Sequence, residues 1–140
     1  MRLANKVAII TGAAQGIGEG IARVFVAEGA RVVIADIKDE AGEAVAASLR
    51  RSGGRAGFVH ADVTSESDVR RLVERTVEEH GGLHIVVNNA GTAVVRSVEE
   101  STVEEWDWLM AVNVRPIFLT AKYAVAHLRR SGGGAILNVG

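Results

Sequence analysis

Short β-branched runs alternate with helical stripes along the chain, and this alternation limits the architecture more than any other feature. The runs are Val7-Ala8-Ile9-Ile10, Arg31-Val32-Val33-Ile34-Ala35, Ala56-Gly57-Phe58-Val59-His60, His84-Ile85-Val86-Val87 and Ala135-Ile136-Leu137-Asn138-Val139. Most lack polar alternation, the pattern of strands covered on both faces of a parallel sheet. Between them, Ile17, Ile21, Val24 and Phe25 form one helical stripe, and Val69, Leu72, Val73, Thr76 and Val77 form another at i, i+3, i+4, i+7 and i+8. Ser65 with Asp68, and Thr102 with Glu105, have the spacing of capping boxes. Gly29, Gly53-Gly54, Gly81-Gly82 and Gly132-Gly133-Gly134 stand where helices should end. The order β-α-β-α-β-α-β-α-β with right-handed crossovers predicts an α/β fold, an open doubly wound parallel sheet of about five strands.

Composition removes several classes of function. The 140 residues carry 16 basic and 17 acidic side chains, a net charge of -1, which gives no electrostatic footprint for nucleic acid or an anionic membrane. There is no cysteine, hence no disulfide, thiolate metal site or thiol nucleophile. The first apolar run is too short for a secretory or membrane-spanning segment, so a soluble, cytoplasmic protein is expected. Residues 1–140 read as one domain. A full dinucleotide-binding fold has about six strands, whereas this chain stops on its fifth. Ala135 to Val139 would be an edge strand with both faces apolar and nothing following to cover it. The expectation is an incomplete domain, part of something longer. Val103 to Arg130 reads as one long helical region, kinked by Pro116 and apolar nearly all round, which calls for subunit association or further helices.

The strongest chemical signal lies between the first strand and the first helix, in Thr11-Gly12-Ala13-Ala14-Gln15-Gly16-Ile17-Gly18. Glycines let backbone approach a pyrophosphate, and the helix terminus beyond offers free N–H groups and the positive end of its dipole. Asp36, ending the second strand 18 residues after Gly18, is placed to accept hydrogen bonds from both ribose hydroxyls. Its charge would repel a 2′-phosphate, so NAD(H) is favoured over NADP(H); Lys38 nearby tempers that preference. The alternative for Asp36 is a turn residue that simply ends the strand.

Thr11-Gly12, Gly16-Ile17-Gly18, Asp36, Asp62-Val63, Asn88-Asn89-Ala90-Gly91 and Asn113, in that order and spacing, resemble the short-chain dehydrogenase/reductase family over the whole chain. The resemblance implies a Rossmann-like fold and hydride transfer between a nicotinamide cofactor and a small-molecule alcohol or ketone. It implies cofactor contacts from Gly12, Gln15, Gly16, Ile17, Gly18 and Asp36. It also implies that Asp62 holds the adenine amino group beside the Val63 backbone, that Asn89, Ala90 and Gly91 line the centre of the cofactor, and that Val112 lies near the nicotinamide-side ribose. Asn113 would be the asparagine of the family's Asn-Ser-Tyr-Lys set. Read from the residues alone, a buried Asn113 is either a structural clamp or functional.

The family's serine and Tyr-x-x-x-Lys are absent from these residues: no serine follows Ser131, and the only tyrosine, Tyr123, has His127 four positions on. Lys122 precedes Tyr123 and should point to a different helix face. Without that acid–base set the chain should bind dinucleotide and turn over very little by itself. A non-catalytic dinucleotide-binding or redox-sensing module that assembles with another chain, and a designed half-fold, stay open beside this reading. The histidines are scattered without metal-ligand spacing, so no metal site is expected. Glu99-Glu100 and Glu104-Glu105 read as solvated charges near a helix start, and Trp106 and Trp108 as packing groups.

Overall fold

The computed structural model describes all 140 residues. Five strands, β1 (Val7–Thr11), β2 (Arg31–Asp36), β3 (Arg55–His60), β4 (Ile85–Asn88) and β5 (Ala135–Asn138), alternate with helices α1 (Gly16–Ala27), α2 (Asp39–Arg51), α3 (Glu66–His80), α4 (Val103–Asn113) and α5 (Arg115–Arg130). The sheet runs β3-β2-β1-β4-β5, and every neighbouring pair is parallel. The chain winds outward from β1 through β2 to β3, then crosses to the other side of β1 for β4. The order therefore reverses between β1 and β4, the place where open α/β sheets form a crevice at the carboxyl ends of their strands.

The unbroken apolar runs follow from burial on both sides. Val7, Ile9, Val33 and Ala35 point to one face, packing with Leu72 and Val73 of α3 and Ala124 and Leu128 of α5. Ala8, Ile10, Val32 and Ile34 point to the other, against Ala22 of α1 and Val45, Ala46 and Leu49 of α2. All five residues of β1 are buried. At the opposite end of the sheet from the crevice, the Val7 N–H donates to His84 Nδ1 at 3.1 Å, tying the start of β1 to the segment entering β4. The β5 edge is largely exposed, Leu137 at 44% among its residues. No helix is long and apolar enough to cross a membrane.

The helix ends mostly follow the expected chemistry. Thr102 and Glu105 make a complete capping box. Ser65 makes only half of one: its side chain accepts the Asp68 N–H, while the Asp68 carboxylate reaches instead to the Asp62 N–H at 2.9 Å. That N–H donation is the main reason the Asp68 carboxyl is held below its ordinary pKa.

Residues 103–130 depart from expectation, forming two helices that meet at Val114 rather than one kinked helix. Pro116 has no N–H, so the Val112 carbonyl loses its donor four residues on, and the proline settles in the first turn of α5, where a missing N–H costs nothing. Only α5 is anchored, through Pro116, Leu119, Thr120, Ala124 and Leu128; α4 has no buried residue. Trp106 and Trp108, expected as packing groups, stand 64% and 49% exposed. Lys122 and Tyr123 also depart from expectation. Although adjacent, their long side chains converge on one Glu66 oxygen, each at 2.6 Å.

Candidate functional site

The carboxyl ends of β1, β2, β3 and β4 open into a cleft of about 680 Å³. Its floor is the turn from β1 to α1. The Gly12 N–H donates to the Ala35 carbonyl of β2 at 2.8 Å, which holds the turn low against the sheet. Gly12 and Gly16 have positive φ, +62° and +59°, a conformation in which a Cβ is strained. A Cβ on Gly12 would stand 2.7 Å from the Ala90 Cα, whereas one on Gly16, which also lines the cleft, would meet nothing within 4 Å. Gln15 is the N-cap of α1, and its side chain caps nothing. The first intrahelical donor is the Glu19 N–H, bonded to the Gln15 carbonyl, so the N–H groups of Gly16, Ile17 and Gly18 have no acceptor in the chain.

Thr11 and Asn89 lock this turn to β4. Thr11 Oγ1 accepts the N–H groups of Asn89 and Ala90, both at 3.1 Å. Asn89 Nδ2 donates to the carbonyls of Thr11 and Gly12 at 3.0 and 3.1 Å. Gly18 completes the lock. A Cβ there would lie 2.5 Å from both Asn89 Nδ2 and the Gly12 carbonyl oxygen, so Gly18 is a packing glycine behind the turn and not part of the cleft wall.

The wall on the β2–β3 side carries two carboxylates. Asp36, only 9% exposed, accepts the Ala14 N–H on Oδ2 and the Lys38 N–H on Oδ1, both at 3.0 Å. It thus ends its strand as a turn residue and faces the cleft as well. Asp62 Oδ1 accepts both the N–H and the hydroxyl of Thr64 at 2.9 and 2.7 Å, while its other oxygen accepts nothing from the chain. Against these charges stand Lys38 and Arg115, leaving the lining formally neutral.

Of the residues singled out in the sequence, Gly12, Gln15, Gly16, Ile17, Asp36, Asp62, Val63, Asn89, Ala90, Gly91 and Val112 line this one cleft. Gly18 and Asn113 do not. Asn113 sits behind Gly91 and clamps the next residue: its Oδ1 accepts the Thr92 N–H at 2.8 Å and its Nδ2 donates to the Thr92 carbonyl at 2.9 Å. Each end of the amide makes one of these two bonds. The lining also includes Ile37, Ala61, Thr64, Thr92, Trp108 and Arg115, which no local motif marks. Tyr123 lies outside it, and donation of its hydroxyl to Glu66 raises its pKa, so its ionised form is harder to reach than that of a free tyrosine.

A glycine turn between a central parallel strand and the helix it feeds, opening at a topological switch point, defines an α/β fold of the Rossmann-like class. Comparison with known proteins narrows the class. The family model "short chain dehydrogenase" matches residues 6–140, and the chain belongs to that family. Over 139 residues it is 43% identical to an uncharacterized oxidoreductase of Thermotoga maritima, covering 99% of this chain and 55% of that protein. It is 42% identical to the 2,5-dichloro-2,5-cyclohexadiene-1,4-diol dehydrogenase LinX of Sphingobium indicum, with 99% and 55% covered. It is 41% identical to a 3-alpha-(or 20-beta)-hydroxysteroid dehydrogenase of Mycobacterium tuberculosis, with 99% and 52% covered. The chain thus spans about half the length of the curated relatives it matches.

Proposed function

We propose that these residues form the dinucleotide-binding part of an oxidoreductase that interconverts a small-molecule alcohol and its ketone, with NAD(H) favoured over NADP(H). The observation that carries the reading is the set of three N–H groups, Gly16 to Gly18, left without acceptors at the amino end of α1, where Gly16 lines the cleft. Such a terminus suits a pyrophosphate, and the second lone pairs of the Asp36 carboxylate suit paired ribose hydroxyls. When bound, the nicotinamide cofactor supplies the hydride chemistry. The residues here bind and orient it: the turn takes the phosphates, Asp36 the ribose, and Asp62 offers its free oxygen to an amino group. Proton transfer at the alcohol oxygen needs a tuned acid–base group. The only tyrosine, Tyr123, is tied to Glu66 away from the cleft, so we infer that these 140 residues bind cofactor without completing turnover alone. A cytoplasmic setting fits that chemistry.

Titration with NADH, followed by fluorescence of Trp106 and Trp108, tests this. Trp108 lines the cleft, so saturable quenching is expected, and Asp36→Asn should weaken binding about tenfold or more, as loss of charged hydrogen bonds does. A titration that stays linear to millimolar NADH overturns the reading. We also infer that copies associate through the α4–α5 face and the β5 edge, where Phe118, Met110 and Leu137 are exposed. Sedimentation as a monomer at all concentrations would rule that out.

A further inference from the structure

At the amino ends of the strands, opposite the cleft, two arginines stand side by side without a counter-charge. Arg31 opens β2 and Arg55 opens β3, and the two are direct partners in the parallel register, as are Arg31 and Val7 of β1. Partners in register share a face of the sheet, ~4.8 Å apart. Val7, Val33 and Val59 identify that face as the one packed against α3 and α5. None of the chain's ion pairs includes Arg31, Arg55 or Lys6, whose carbonyl accepts the Arg31 N–H at 2.8 Å. Arg31 Nε is the one buried side-chain nitrogen or oxygen in the chain without a hydrogen-bond partner. Between Arg55 and Val59 on the same face, β3 carries Gly57, the register partner of Val33, and a Cβ built there would meet nothing within 4 Å.

We propose that Arg31, Arg55 and the open space over Gly57 form a second anion site, separate from the cleft, that takes a small oxyanion of phosphate size from solution. Two like charges on neighbouring strands repel each other, and a buried donor without a partner keeps its full desolvation cost. One ligand with several acceptor oxygens and a negative charge relieves both. A guanidinium presents a planar fork that matches such oxygens in pairs, and the unpartnered Nε gives Arg31 one tine of that fork. Because Gly57 has no side chain, nothing on β3 fills the face between Arg55 and Val59. From Arg31 to Asp36, β2 runs about 16 Å, so the site lies apart from the glycine turn and does not depend on the dinucleotide reading.

Urea unfolding of the intact chain in sodium phosphate, against sodium chloride of equal ionic strength, tests this with Arg31→Gln and Arg55→Gln beside the unaltered chain. Phosphate strengthens folding in general through its exclusion from protein surfaces, and any phosphate at the glycine turn is common to all three. The difference among them therefore carries the result. The midpoint of the unaltered chain should rise saturably with phosphate, beyond the rise in either variant. The phosphate concentration giving half of that extra rise should increase about fivefold or more in Arg55→Gln, the scale of an accessible guanidinium–phosphate contact. Arg55 is exposed, so its variant keeps the test open even where Arg31→Gln fails to fold. An equal phosphate dependence in the unaltered chain and Arg55→Gln overturns the proposal and leaves the reading of the cleft as it stands. Loss of NADH affinity in Arg55→Gln together with the phosphate response would mark damage to the whole sheet, and overturns it as well.

Discussion

Adding one methyl group in turn at Gly12, Gly16 and Gly18 should separate what the turn does for the fold from what it does for a ligand. At Gly18 the new Cβ would stand 2.5 Å from Asn89 Nδ2, 2.5 Å from the Gly12 carbonyl oxygen and 2.9 Å from the Ala13 Cα. Two of those atoms are backbone, so the asparagine must give way, and it carries the bonds to Thr11 and Gly12 that hold the turn to β4. Overpacking of this kind costs about 1–3 kcal/mol, and each bond lost adds about 1 kcal/mol. Gly18→Ala should therefore lose about 2–4 kcal/mol, a large part of a domain's ~5–15 kcal/mol. Gly12→Ala combines a positive φ with a 2.7 Å approach to the Ala90 Cα and belongs in the same range. Gly16→Ala differs. Its φ of +59° costs about 1 kcal/mol, but its methyl group meets no protein atom, on a residue that lines the cleft. Urea unfolding gives the stabilities, and NADH titration the affinities. Gly16→Ala should keep most of its stability and lose most of its binding. Wild-type stability in Gly18→Ala, or an equal loss in Gly16→Ala and Gly18→Ala, would refute the division of roles.

Thr11→Val keeps the shape of a residue only 1% exposed and removes the oxygen that accepts two N–H groups. Leaving both donors unpaired should cost about 2–4 kcal/mol in urea unfolding, and a loss under about 0.5 kcal/mol would show that they find other partners. His84 predicts a pH dependence. Burial, with the Lys6 charge adding to it, lowers its pKa, and its Nδ1 accepts the Val7 N–H only while the ring is neutral. The folded form thus binds fewer protons than the unfolded chain. The histidine's contribution is present above its ordinary pKa of about 6.5 and is lost as the pH falls through the lowered folded value. The urea midpoint should drop on acidification from about pH 7.5 to about pH 5.5 more steeply in the unaltered chain than in His84→Gln. Parallel curves for the two would remove His84 as the cause.

The strands were legible because burial on both faces leaves a continuous apolar run, but three of them continue one polar residue beyond that run. Thr11, Asp36 and Asn88 end β1, β2 and β4 while remaining 1%, 9% and 6% exposed. Each is satisfied by partners far away in the chain: Thr11 by Asn89 and Ala90, Asp36 by Ala14, and Asn88 by Thr120 and Asn138. Polarity at a strand's carboxyl end here marks the rim of the cleft rather than the start of a loop. The same non-locality limits what spacing alone can tell. Spacing placed Gly12, Gly16 and Gly18 in one motif, yet surroundings supplied in large part by Asn89 and Ala90, some seventy residues on, distinguish an open glycine from a packed one. Apolar content nearly all round Val103 to Arg130 called for a further partner, and within these residues α4, which lies beside α5, buries no side chain. Lys38, Thr64, Trp108 and Arg115 reach the cleft from four different segments with no shared pattern. A phosphate turn is built from consecutive backbone and can be read in order, whereas the residues that choose among its ligands are brought together only by the crossovers.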